Sequence, residues 1–168
     1  MSSTLSRSVF NREIREIYSK SLTLGDNWTL IVVDQNQDIN YLEKSIQQLY
    51  LNEIITLIYH IIYSESFSVP VLYINIFKSN GSVFKYDEIY KFFSLKELDS
   101  DQEPILILTQ QEHPILFKPF YYMHPCMTSH WMNQTKLGSD ESFNFTLKWL
   151  SFVFSALRIP IDIKYALN

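Results

Sequence analysis

Between Leu106 and Met132 the chain reads LILTQQEHPILFKPFYYMHPCMTSHWM, and its prolines settle what that stretch is not. Proline fixes φ, removes a backbone donor and pushes the residue before it towards extended conformations. A run interrupted at Pro114, Pro119 and Pro125 cannot be helix interior, so a rigid, extended path is expected. That path holds the only cysteine, Cys126, together with three of the four histidines, His113, His124 and His130. The first expectation is that the fold presents Cys126 on a stiff platform.

The rest of the chain supplies enough material for one core. With 168 residues it has the size of a single domain, taken as 1–168, and 46% hydrophobic against 19% charged residues places it among globular proteins. The net charge of −4, with no run of Lys or Arg, gives nucleic acid no electrostatic footprint. Ile54 to Tyr63 and Trp149 to Ile159 are apolar but too short to span a bilayer, and MSSTLSRSVFNREI has no apolar signal run, so stable membrane insertion is not expected. A lone cysteine cannot form an internal disulfide, which suits a reducing, cytoplasmic setting.

Periodicity gives the elements. Leu5, Val9, Phe10, Ile14 and Ile17 recur at helical spacing and predict an amphipathic helix over 4–20, broken at Gly25. WTLIVVD (28–34) is strand-like. From Tyr41 to Ile54 the spacing fits a helix, whereas IITLIYHIIY (54–63) is read as a buried strand. Pro70 is expected to interrupt before a strand over 71–78, and Asn80-Gly81 predicts a type I′ hairpin turn into SVFKY. Asp87 to Leu98 reads as a short helix, Ile105 to Leu108 and Leu116 to Met123 as extended pieces, and Phe143 to Leu157 as a helix apolar nearly all round, stopped by Pro160.

Several chemistries compete for Cys126. An isolated cysteine among apolar residues is commonly an inert buried thiol in a partner-binding module. His124, Cys126 and His130 are zinc-ligand types, but a structural site needs four ligands and no second pair is visible, so no metal is assigned. A cysteine hydrolase needs a histidine beside the thiol, with His60 or His113 as distant candidates. An acyl carrier needs an accessible thiol on a rigid platform and no general-base triad, because its thioester arrives activated. Pro-stiffening before Cys126 suits the carrier best.

Three blocks carry a resemblance: TQQEHPILFKPFYYMHPCMT, the upstream YHIIYSESFSVPVLYINIF and the downstream TLKWLSFVFSALRIPIDIKYA. Over about residues 55 to 168 the chain resembles the autophagy E2-like conjugating enzymes of the autophagy-related protein ten family, and no motif supports residues 1–54. The resemblance implies an α+β, ubiquitin-conjugating-type fold, with a central antiparallel sheet flanked by N-terminal and C-terminal helices. It implies that Cys126 takes the ubiquitin-like modifier autophagy-related protein twelve from the E1-like activating enzyme, autophagy-related protein seven. The modifier then passes to a lysine of autophagy-related protein five, with no cofactor on this chain and any recruitment to pre-autophagosomal membranes made through partners. The sister family, autophagy-related protein three, shares the HPC motif and conjugates its modifier to phosphatidylethanolamine; it is longer, with an acidic insertion that this chain lacks.

Ordinary ubiquitin-conjugating enzymes carry His-Pro-Asn some residues before the cysteine, and the Asn amide serves the oxyanion. Here His124-Pro125 abuts Cys126, so another group must serve. His124 shares a side with Cys126 in an extended segment and is either an oxyanion donor or a brace for the proline turn. Tyr63 matches the tyrosine of the family's Y-to-PVLY block and offers either a nearby phenol or an ordinary core-edge ring. Pro125, Thr128 and His113 are expected to support the site, His113 by ordering its loop or by pairing with Glu112. The modifier-binding surface is not assigned.

Overall fold

The computed structural model describes residues 4–95, 107–128, 132 and 144–166. At its centre stands β3 (Glu53–Ser64), whose alternating side chains enter two different cores. Ile55, Leu57, Tyr59, Ile61 and Tyr63 join the larger core, and Ile62 joins the smaller one on the opposite face. With β1 (Thr29–Asp34), β2 (Ile39–Tyr50), β4 (Val69–Phe77), β5 (Leu108–Glu112) and β6 (Pro119–Met123), it builds a six-stranded sheet ordered β1-β2-β3-β4-β6-β5. Every pairing is antiparallel. The α+β class and the central antiparallel sheet are as the resemblance implies.

Three helices supply the larger core: α1 (Arg7–Leu24), α2 (Tyr86–Phe92) and α3 (Phe145–Ala156). Phe10, Ile14 and Ile17 of α1 meet Trp149, Leu150, Val153 and Phe154 of α3 over the sheet. Ser6 caps the start of α1 by accepting from the Val9 N–H, and Gly25, at φ 69°, ends it in the left-handed conformation that glycine adopts without a Cβ clash. α3 is buried on several sides, as its all-round apolarity predicts.

The two outer helices are also joined by a buried acid. The Glu13 carboxylate accepts from the N–H groups of Phe145 (2.9 Å) and Thr146 (2.8 Å) and from the Thr146 hydroxyl (2.7 Å). Asn144 caps the same turn by accepting from the Leu147 N–H at 2.8 Å. A side chain from the first helix thus satisfies donors that the last helix leaves open at its N-terminus, where the helix dipole also favours negative charge.

Four expectations need correction. Residues 41–54 form no helix: β2 and β3 pair antiparallel through a turn at Leu51 and Asn52, with φ of 46° and 63°. Both central residues at positive φ make the tight primed turn of a two-residue hairpin, and Leu-Asn does not announce it as Asn-Gly would. Conversely, Asn80-Gly81 does not give that turn. Only Gly81 has positive φ (83°); the Gly81 N–H closes a turn onto the Lys78 carbonyl, and one bridge, Phe77 to Val83, follows. Pro70 does not precede β4 but lies within it, second from its start and opposite Tyr63, where a missing donor is tolerated. Finally, the proline-rich stretch is no single extended path. β5 and β6 form a hairpin whose turn holds Pro114, with Pro119 opening the return strand. The expected helix over 87–98 is present as α2 and ends earlier; residues 96–98, like 105–106 and 133–143, lie outside the described residues.

Candidate active site

β6 delivers the thiol. Its alternation sends Tyr121 and Met123 into the larger core and Phe120 and Tyr122 into the smaller one, so the strand is fixed from both faces. Past Met123 the His124 N–H still donates to the Ile107 carbonyl (3.1 Å), extending the hairpin by one step. The chain then tightens into one 3₁₀ turn, Pro125–Met127. Proline suits that first position, because its φ is already set and its missing N–H has no helical partner to lose. Pro125 is buried and Cys126 is exposed, the one solvent-facing thiol of the sequence. The inert buried cysteine weighed above is therefore not what this fold makes.

His124 caps the turn. Its Nδ1 accepts from the Cys126 N–H at 3.1 Å, and the Thr128 N–H closes onto the Pro125 carbonyl. A backbone N–H can only donate, so Nδ1 carries no proton and the neutral ring holds its hydrogen on Nε2. In this state the ring presents a donor, not a base. Its ring meets Phe67 edge-on at 5.6 Å and Tyr122 at 6.2 Å. Thr128 is fully buried, and its hydroxyl has no hydrogen-bond partner among the described residues.

Tyr63 stands at the same end of the sheet. It faces Pro70 across β3 and β4, while Tyr73 faces Tyr122, so β6 runs towards that corner as it reaches His124. The Tyr63 hydroxyl donates to the Leu5 carbonyl at 2.9 Å, and Arg7 lies over its ring at 5.3 Å. Its phenol is engaged in fastening the N-terminal segment. Arg7 also pairs with Glu65 of the β3–β4 turn, the loop that carries Phe67.

His113 lies away from the thiol, at the closed end of the hairpin. Its Nδ1 accepts from the N–H groups of Ile115 (3.2 Å) and Leu116 (3.1 Å), ordering the turn, and its Nε2 meets His60 Nδ1 at 2.9 Å rather than Glu112. Burial lowers the pKa of both rings, each to about 4. His130 lies outside the described residues, so its place beside His124 and Cys126 does not enter.

Two residues that the sequence reading passed over belong to the site. Tyr122 precedes His124 by two residues, the spacing that puts side chains on one face of an extended chain, and their rings meet. Burial first, then Tyr73 and last Cys126 push its phenol up to about 12, so it stays protonated beside the thiol. Alternation alone would have found it. Phe67 arrives from a loop more than fifty residues away, and no local signal marks it.

Residues 10–161 match the family model for the active-site domain of autophagocytosis associated protein. The chain belongs to this family. The match reaches well into the first 54 residues, for which no motif spoke. Relatives named ubiquitin-like-conjugating enzyme ATG10 are similar to the chain. The human protein is 32% identical over 122 residues, covering 68% of this chain and 54% of the relative. That of Dictyostelium discoideum is 36% identical over 121 residues, covering 62% and 52%, and that of Arabidopsis thaliana 32% identical over 119 residues, covering 62% and 51%. The chain thus spans about half the length of the curated relatives it matches.

Proposed function

We propose that this chain is an E2-like conjugating enzyme, residues 1–168 acting as one domain, that carries a ubiquitin-like modifier as a thioester on Cys126 and transfers it to a protein lysine. One observation carries the reading: the sole thiol of the sequence stands exposed on a proline-stiffened turn within the family's active-site domain. The sequence resemblance supplies the finer identities: autophagy-related protein seven as donor, twelve as modifier and five as acceptor, in the cytoplasm. Among the described residues no helix is long and apolar enough to cross a membrane.

The steps follow from thioester chemistry. The Cys126 thiolate attacks the modifier's C-terminal carbonyl on the activating enzyme, and that enzyme's thiolate leaves. An uncharged lysine amine then attacks the new thioester; the isopeptide bond forms, the Cys126 thiolate departs, and the amine's extra proton passes to solvent. No cofactor is needed on this chain, since the carbonyl arrives activated. His124 acts through Nε2–H as a donor to the oxyanion, because its Nδ1 is committed to the Cys126 N–H. Tyr63 holds the corner beside it, and its phenol serves the incoming lysine when the Leu5 contact opens.

The test is a gel-shift assay with activating enzyme, ATP and modifier. A reductant-sensitive adduct forms on the wild type, and Cys126→Ser gives a stable oxyester or no adduct. A reductant-sensitive adduct on Cys126→Ser overturns the assignment.

A further inference from the structure

A second cluster of titratable side chains lies on the face of the sheet opposite the helices. Glu43, His60 and Tyr73 are direct cross-strand partners on β2, β3 and β4, and the same row continues through Tyr122 on β6 to Thr109 on β5. His113, folded back from the β5–β6 turn, packs on this row with 0% exposure. Its ring lies 5.0 Å from that of Tyr73, 4.8 Å from Phe120 and 6.1 Å from Tyr41.

The proton positions in this cluster follow from its geometry. His113 Nδ1 accepts two backbone N–H donors, so its proton resides on Nε2 and points at His60 Nδ1, 2.9 Å away. His60 Nδ1 must then accept, which places the second ring's proton on its Nε2, 2.9 Å from Glu43 Oε2. That last contact is close but off the N–H axis, a polar contact more than an aligned hydrogen bond. Of four tautomer combinations for two neutral rings, one gives the His113–His60 contact a donor and an acceptor while leaving His113 Nδ1 free to accept, and it turns the His60 Nε2–H towards Glu43 without an aligned bond. Among the described residues Glu43 is the one charged group facing the pair; Tyr41, Tyr73 and Tyr122 are the other titratable ones, and the pKa of each is raised by burial.

We propose that Glu43, His60 and His113 form a one-way relay that positions Cys126 by fixing the tilt of the β5–β6 hairpin. Among the described residues β6 joins β4 at two register pairs, Tyr73 with Tyr122 and Ile74 with Tyr121. Asn75 Nδ2 adds one bond to the Pro119 carbonyl at 2.9 Å, and about so short a seam even a small tilt of the hairpin moves its two ends in opposite senses. The relay ties the closed end, at His113, across β4 to β3 and β2. The open end carries His124, Pro125 and Cys126. Aromatic contacts run the same way: Tyr73 touches both His113 and Tyr122 at 5.0 Å, and Tyr122 meets His124. This role rests on Cys126 being the reacting thiol.

His113→Asn separates the relay from the turn it also orders. An asparagine oxygen accepts from N–H groups two and three residues on, as His113 Nδ1 does, while its amide nitrogen, closer to Cβ than an imidazole Nε2, falls short of His60. Two measurements decide. Long-range ¹⁵N–¹H spectra of the wild type at neutral pH are expected to show Nδ1 bare and Nε2 protonated on both rings; a proton on either Nδ1 overturns the relay. Single-turnover discharge of the Cys126 adduct to free lysine is expected to slow about ten- to a hundredfold in His113→Asn, the scale of a misplacement near 1 Å. Glu43→Gln, which keeps an acceptor for His60, stays near the wild-type rate, whereas Glu43→Leu falls with His113→Asn. Unchanged discharge in both His113→Asn and Glu43→Leu returns the pair to a purely structural role. If the wild type forms no adduct, the reading of Cys126 falls and the positioning role with it, while the spectra still decide the tautomers.

Discussion

Acid should destabilise this fold through two buried imidazoles. His60 and His113 are buried with pKa values near 4, against 6.5 for a free imidazole. Because the folded values lie below the unfolded one, the unfolded chain takes up protons that the folded chain refuses. Their stability is complete above the unfolded value and is lost as pH falls from about 6.5 towards about 4. For one ring, moving from about pH 7 to about pH 5 costs roughly 2 kcal/mol; for two independent rings it costs roughly 3 to 4 kcal/mol. Asp38, Glu53 and Glu88 have pKa values lowered by hydrogen bonds to Asn11, Ser79 and Lys78 respectively, so their contributions fade below this window. The assay is urea unfolding at both pH values, read from the fluorescence of buried Trp28 and Trp149. In His113→Asn the loss between the two pH values should shrink by about half or more. Equal losses in variant and wild type would refute the buried neutral pair.

Three further outcomes follow from particular contacts. His124→Ala should form the Cys126 adduct yet slow its discharge by about one to three orders of magnitude, the scale of a lost oxyanion donor, and His124→Asn, whose side chain can still cap the turn, should recover part of the rate in the same assay. Glu13→Gln puts an amide where three donors converge and should cost about 2 to 4 kcal/mol in urea unfolding, against nearly nothing for exposed Glu16→Gln. Leu51→Asn should stabilise the fold by about 0.5 to 1 kcal/mol, since asparagine tolerates positive φ better than leucine; a loss of stability there would contradict the β2–β3 turn.

What could be read from the chain was what local chemistry dictates. The β-branched runs WTLIVVD, IITLIYHIIY and VLYINIFK became strands, and the all-round apolarity of α3 foretold its burial. Cys126 stood out because it is single and follows a proline. β2 escaped because Tyr41, Leu42, Ile46 and Leu49 fall at helical spacing while pairing with β3 decides the matter; Leu49, 71% exposed, belongs to no buried face at all. Pro114 read as a stiffener of one long path, whereas it occupies a turn that only the pairing of β5 with β6 makes visible. The link between His60 and His113 spans 53 residues and has no motif, because tertiary pairing creates it.

The Glu13 carboxylate, finally, bears on the order in which the chain assembles. The meander from β2 to β4 closes over short loops and can form early at small entropic cost. The bonds from Glu13 to Phe145 and Thr146 join residues 132 and 133 positions apart. They cannot exist until the start of α3 is in place. A ribosome releases Glu13 well before Phe145 and Thr146, so the first helix waits with an unpaired acid until α3 arrives. That closure is the natural last step of folding, and the place where a premature stop would leave the core open.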